Sequence, residues 1–381
     1  MAQPKAVTLS FTGRPLNALF LLAFSSSAAL FTYLMRVDTV ANNIPSNFQA
    51  VIETATLENG TPLVTQYTGI TVVDELAKIL VTAFLAGTAG WDVGVKAQQA
   101  YFLLNWFPVV VIWAVESSRT RNSGRLVSFA ALFGLLYQII GAAVIAPVYY
   151  AAYVFTSRGE TYYQQGRSVP LGYARALLPA VVLGYFIPTV ALFYGTWDIQ
   201  TVQYLTAFWQ PSPIYVSALL VLFSFFTSPS STTATTKNHD IKHLKLVYLL
   251  AGLVSGFSHL STAYLSLTSD DPLLSLSYIF LPNRATWRDS TALGLHYIFQ
   301  VDFFGAFGSG LFWSWLLTYD VLRIEGRPRA SSLIQAVLGI GITTLVAGPG
   351  SAIMMVYSWR ESRLAKIEDR IEENGKKPKA A

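Results

Sequence analysis

The chain has 381 residues, 53% of them apolar and only 12% Asp, Glu, Lys or Arg. Soluble domains carry about 25% charge, so too little polar side chain exists to cover a water-facing surface, which excludes a secreted or cytosolic enzyme, a disordered chain and a fibre. The net charge of +5 reflects 26 Lys and Arg against 21 Asp and Glu. These basic residues sit in short segments between apolar stretches and in the C-terminal tail, as expected beside anionic lipid headgroups and not as a nucleic-acid patch. Cysteine is absent, which removes disulfides, thiolate nucleophiles, Fe–S clusters and Cys-type zinc sites.

A spanning helix needs about 20 mostly apolar residues. In chain order the stretches that qualify, or nearly so, are 16–34, 76–90, 101–115, 127–155, 171–194, 214–227, 246–267, 293–319 and 333–357. The period-2 alternation of a barrel is absent, and only helices satisfy that much backbone in hydrocarbon. The expected fold is therefore all-α: one polytopic membrane bundle of eight or nine transmembrane helices over 1–360, with a charged C-terminal tail at 361–381.

The first stretch follows Lys5 and Arg14 and leads to Arg36. Its apolar run is too long for a signal-peptide core, so it reads as a retained span. Residues 38–75 form the longest polar segment and contain the sequon Asn59-Gly60-Thr61. The second and third stretches, separated by Trp91 to Lys96, read as two short spans or as a broken pair facing a cavity. Residues 228–236, rich in Ser and Thr, are the clearest loop. Lys377 and Lys379, five and three residues from the end, resemble a dilysine retrieval signal and point to the endoplasmic reticulum. Basic residues on alternate loops are nearly balanced, which leaves orientation open.

An ionisable group within a span is costly unless it is paired, protonated or facing water, so each is a functional candidate. Asp302 lies in His296-Tyr297-Ile298-Phe299-Gln300-Val301-Asp302-Phe303-Phe304. A carboxyl among rings lacks the water that stabilises its charge, and in neutral form it is a proton donor. The bland alternative is packing through Gly305, Ala306, Gly308 and Ser309 with Asp302 bonded to a neighbour. His296 and Gln300 lie four apart on another face, either orienting a substrate oxygen or forming a structural pair. Gln98, Asn105 and Glu116 share one helix face, although Glu116 beside Arg119 also reads as a helix end. Asp92, after Trp91, is an acid or a helix cap. Asp198 and Asp320 look interfacial.

His259 is the other His within a span, and two such histidines without ligand spacing make no metal site. Phe303 and Trp313 belong to a set of deep rings able to hold a transient carbocation through their quadrupoles. Asp302, Glu116, Asp92 and His296 are thus the catalytic candidates. Asn105, Gln300, Phe303, Trp313 and His259 are the substrate-binding ones, with no metal and no cofactor expected.

Missing motifs narrow the chemistry. Neither DDxxD nor NSE occurs, so magnesium-triggered loss of diphosphate is disfavoured, and DxDD is absent too. The four histidines cannot build desaturase His boxes. No GxGD accompanies Tyr319-Asp320, and neither a P-loop nor a dinucleotide fingerprint is found.

The run Leu281-Pro282-Asn283-Arg284-Ala285-Thr286-Trp287, leading through His296 to Asp302, resembles the membrane-bound terpene cyclases of fungal meroterpenoid biosynthesis, of the ascofuranone-pathway type. Trp91-Asp92 and the segment from Asn105 to Glu116 share the resemblance, which covers nearly the whole chain in length and hydrophobic layout. It implies a metal-free cyclase in fungal secondary metabolism, acting on a farnesyl-type chain attached to an aromatic or polyketide head and often already epoxidised. Asp302 is then the expected acid, His296 or Gln300 aids positioning, and Asp92 and Glu116 are alternative acids or the terminal base. The rival readings are a proton-coupled small-molecule transporter and a receptor or structural protein whose buried acids pair with basic side chains. Basic partners within the apolar stretches look scarce.

Overall fold

The computed structural model describes residues 9–228 and 238–376. Two expected features, most of the Ser- and Thr-rich loop and the dilysine pair, lie outside the described residues. Helix dominates the remainder, and the described residues contain no strand beyond one isolated bridge between Thr56 and Pro62. The chain is all-α, as its composition requires.

Helix α1 (Asn17–Thr32) passes through a π turn (Tyr33–Val37) into α2 (Asp38–Ala41), and α3 (Phe48–Thr54) follows. Next come α4 (Thr71–Thr88), α5 (Val93–Ser118), α6 (Ala130–Ile140) and α7 (Ala142–Thr156). Helices α8 (Leu171–Val181) and α9 (Ile187–Tyr194) are joined by a second π turn, and α10 (Ile199–Trp209) and α11 (Ser212–Thr227) follow. The chain closes with α12 (Ile241–Thr268), α13 (Leu276–Phe280), α14 (Thr291–Ile324) and α15 (Ala330–Lys376).

Five helical segments are long and apolar enough to cross a membrane, or six if α10 and α11, bent by 59°, make one span. Helix α14, which carries His296, Gln300, Asp302 and Asp320, is not among them. The helix α10 has no counterpart among the expected stretches; Gln200, Thr201 and Gln203 break its apolar run. The stretches 76–90 and 101–115 prove to be α4 and a single 26-residue α5. The polar turn between them supplies a cap: Asp92 accepts the amides of Gly94 and Val95 at 2.8 and 2.9 Å.

Helix α5 is the hub, buried along nearly its whole length and touching α4, α8, α12, α14 and α15. By contrast α12 exposes Leu249, Leu253, Phe257 and Leu260, and the first half of α15 exposes Ile334, Val337 and Leu345. Apolar faces of that extent suit a lipid surround. The expected boundary at 360 falls inside α15, which kinks at Gly348 (φ 85°) but runs on to Lys376. Arg360 and Glu361 are fully buried, and Leu364 and Ile367 pack in a cluster with Tyr163 and Ile324.

That region holds a buried ionic network. Arg119 pairs with Glu116 at 2.9 Å and Glu361 at 2.6 Å, Arg360 with Glu116 at 3.0 Å, and Arg167 with Glu361, Asp240 and Glu368. Arg14 clamps Asp320 at 2.6 Å. The scarcity of basic partners is thus corrected. The arginines come from the N-terminal segment, from loops and from the second half of α15, all outside the apolar stretches where partners were sought. Asp320 is buried against Arg14.

Candidate active site in an aromatic cavity at a broken helix

The stretch 127–155 is interrupted at Gly141, where φ is 112°. A side chain is strained at that angle, and a Cβ would lie 2.6 Å from Met35 Cε and 3.3 Å from Asp302 Oδ1. Breaking a helix leaves carbonyls unpaired at one end and amides unpaired at the other. Two distant side chains satisfy them. Arg36 donates to the Ile139 and Ile140 carbonyls at 3.1 and 2.8 Å, closing α6. Asp302 Oδ1 accepts the Ala143 amide at 2.5 Å, opening α7. A cation at a helix C-terminus and an anion at an N-terminus also match the helix dipoles.

Both groups line a cavity of about 450 Å³ formed by α4, α5, α6, α10, α14 and residues 39–48. Arg36 and Asp302 are its only charged side chains among the described residues. Elsewhere the wall is largely apolar, aliphatic side chains interleaved with rings. Phe84 packs edge-on against Phe299 at 4.9 Å and tilts toward Trp209 at 5.4 Å, and Trp106 meets Tyr137 at 5.4 Å. Trp106 Nε1 and the Tyr137 hydroxyl are buried without a hydrogen-bond partner. Residues 39–48 line the cavity on one side, and this segment is stapled down by the motif region. Arg284 pairs with Asp38 and stacks on Trp287, Arg288 bonds Asn42 at 2.6 Å, and the Thr291 hydroxyl donates to the Ser46 carbonyl at 2.6 Å.

Of the nine candidate residues, Asp302 alone lines this cavity. Three others gather around Tyr278: its hydroxyl donates to Asp92 at 2.5 Å, and its carbonyl accepts from His296 Nε2 at 2.9 Å and Gln300 Nε2 at 2.7 Å. His296 and Gln300 border a second cavity of about 400 Å³ on another face of α14. Phe303 packs among Tyr101, Phe102, Phe280 and Phe307. Trp313 stacks on Tyr150 at 4.4 Å, deeper in the bundle.

Asn105 accepts from Ser255 at 2.6 Å and from the Gly350 amide at 3.3 Å, tying α5 to α12 and to the kink of α15. His259 bridges the Tyr101 hydroxyl at 2.9 Å and the Leu345 carbonyl at 3.0 Å. Glu116 sits in the ionic network, ten residues along α5 from Trp106, a separation of about 15 Å. Among the described residues no group of three or more His, Asp or Glu is arranged to hold a metal ion.

Sequence reasoning missed Arg36, Phe84, Trp106, Tyr137, Trp209 and Phe299. Arg36 carried a usable signal, a cation at the end of an apolar stretch, but it read as a membrane-edge residue. The rings carried none, because nothing local separates a cavity wall from ordinary packing.

The fold and site define an all-helical protein with a single carboxyl set in a largely apolar cavity lined in part by rings. The chain belongs to the CtvD family, whose domain matches residues 17–365, in agreement with the resemblance to fungal meroterpenoid terpene cyclases. It is 24% identical over 320 residues to terpene cyclase ascI of Acremonium egyptiacum, covering 82% of this chain and 83% of that protein. Terpene cyclase ctvD of Aspergillus terreus is 26% identical over 317 residues, 79% of this chain and 86% of that one. FAD-dependent monooxygenase verC1 of Penicillium polonicum is 29% identical over 266 residues, 68% of this chain but only 31% of that protein. The chain thus spans about a third of the monooxygenase's length. No solved structure matches.

Proposed function

We propose that the protein is a membrane-embedded terpene cyclase of fungal secondary metabolism, in which Asp302 protonates a terminal epoxide on a farnesyl-type chain carried by an aromatic or polyketide head. The observation that carries this reading is the position of Asp302: a lone carboxyl, with one oxygen bound to a main-chain amide, in a largely apolar cavity lined in part by rings. When the carboxyl is protonated, Oδ1 keeps the Ala143 bond as its carbonyl oxygen, and Oδ2 carries the hydrogen. Transfer to the epoxide oxygen turns it into a hydroxyl, and the C–O bond opens as an internal alkene attacks. The positive charge then moves along the chain beside ring faces, which attract cations without offering a nucleophile. Loss of a proton ends the sequence, so substrate and product are isomers.

The matching third of the FAD-dependent monooxygenases supports an epoxide over a plain alkene, since flavin oxygenation and cyclisation are consecutive steps if both occur on one polypeptide. The cavity volume falls within the range of small-molecule sites, about 300–1,000 Å³. The names of the relatives favour a cyclase over the transporter alternative. The apolar helices support a single bundle in a membrane, and the resemblance of Lys377 and Lys379 to a dilysine signal points to that of the endoplasmic reticulum.

The test uses microsomes from a host without terpenoid clusters, supplied with farnesylated phenols bearing a terminal epoxide. The expected result is a product of unchanged mass, with Asp302→Asn lowering turnover about a hundredfold or more. Full turnover by that variant removes Asp302 as the acid.

A further inference from the structure

The guanidinium of Arg36 and the carboxyl of Asp302 are fixed on opposite sides of Gly141. Arg36 is tethered to carbonyls 139 and 140, and Asp302 to amide 143. The two line the same cavity, yet no direct ion pair joins them. Every other contribution to the cavity, from α4, α5, α10, the rest of α14 and residues 39–48, is uncharged. A guanidinium and an ionisable carboxyl set in one largely apolar space are costly to keep there.

We propose that Arg36 is a positioning residue for the proton transfer, countering the negative charge that appears on Asp302 as its proton leaves. This rests on Asp302 as the donor. In that step the O–H bond of Asp302 breaks, the proton goes to the epoxide oxygen, and the electron pair stays on the carboxylate. A cation already in place within an apolar site stabilises that charge with little reorganisation. The tether to α6 matters as much as the charge. It keeps the guanidinium from closing onto the carboxyl beforehand, which would hold Asp302 ionised and useless as a donor. The cation born on the substrate, repelled by Arg36, is driven away from the break and along the rings.

The experiment measures kcat and KM of Arg36→Gln, Arg36→Lys and Asp302→Asn on the epoxide substrate, each checked for monodispersity in detergent. Arg36→Gln is expected to lower kcat about a hundredfold with KM changed by less than about threefold, and Arg36→Lys to recover to within about tenfold of the parent. A residue that only capped α6 would shift thermal stability without that kcat-specific loss. The assignment is overturned if Arg36→Gln keeps kcat within about threefold, if its loss lies in KM, or if Lys restores nothing. Activity in Asp302→Asn sinks the proton-donor reading itself. An inactive Asp302→Asn beside an active Arg36→Gln sinks only the role of Arg36.

Discussion

Asp302 and Ala143 lie 159 positions apart, yet the carboxylate oxygen of one accepts the main-chain amide of the other at 2.5 Å. One side chain therefore serves as the proposed acid and as the cap of α7. Asn keeps a carbonyl oxygen in place of Oδ1 but cannot supply the acidic proton, whereas Ala removes both. Asp302→Asn is expected to lose turnover with a nearly unchanged melting temperature. Asp302→Ala should lose turnover and also about 1–3 kcal/mol of stability, the cost of an orphaned buried amide. Thermal melts of the two purified variants check this, and equal melting temperatures would detach the capping role.

Gly141 allows the break because only glycine adopts φ 112° without strain. Gly141→Ala should cost about 1–3 kcal/mol from the backbone alone, with a further loss from the Cβ meeting Met35 Cε. Since the same residue separates Arg36 from Asp302, turnover should fall together with stability. A variant that melts early but turns over normally would show that the break is not needed for chemistry.

Arg119 holds two buried carboxylates, Glu116 and Glu361, with no exposure of its own side chain. Arg119→Met leaves both without that partner and should destabilise by about 3–5 kcal/mol. Removing the exposed partner of Lys78, by Glu75→Gln, should cost at most about 1 kcal/mol. Glu116→Gln should lower the yield of folded protein while the surviving fraction keeps turnover within about threefold of the parent. A pure loss of turnover in well-folded Glu116→Gln would return Glu116 to the catalytic set.

At the start of α4, Asp74 accepts the amides of Tyr67, Thr68 and Gly69 and the Thr68 hydroxyl, at 2.7 to 3.1 Å. Burial works to raise its carboxyl, but these bonds outweigh burial and hold it below the usual value. A depressed folded value means that the stabilisation is fully present above the unfolded value, about pH 4, and fades as pH falls through the folded one. The melting temperature of Asp74→Asn should therefore lie below that of the parent at about pH 6, and the gap should narrow toward about pH 3. A gap independent of pH would be incompatible with this account.

What could be read from the residues alone followed from terms that sum along the chain. A charge content of 12% with 53% apolar residues selects the solvent, and hydrocarbon forces backbone bonds to close within helices. The expensive carboxyl at Asp302 also stands out by itself, because a charge in an apolar helix has a cost that needs no neighbour to define it. Asp92 read equally as acid or cap, and the cap is what its amide bonds show.

The tertiary structure decided which polar groups share a space. Gly141 looks in sequence like any small residue in an apolar run; only Met35, Asp302 and Arg36, brought from elsewhere, explain a break there. Glu116 and Asp302 read alike as buried acids. One is surrounded by arginines from positions 119 and 360, while the other shares a cavity with rings from several helices. The physical reason is the same in each case: helix formation and burial cost are local or additive, whereas the partners of a charge and the wall of a cavity depend on contacts that include residues far apart in the chain, such as Glu116 with Arg360 and Asp302 with Ala143.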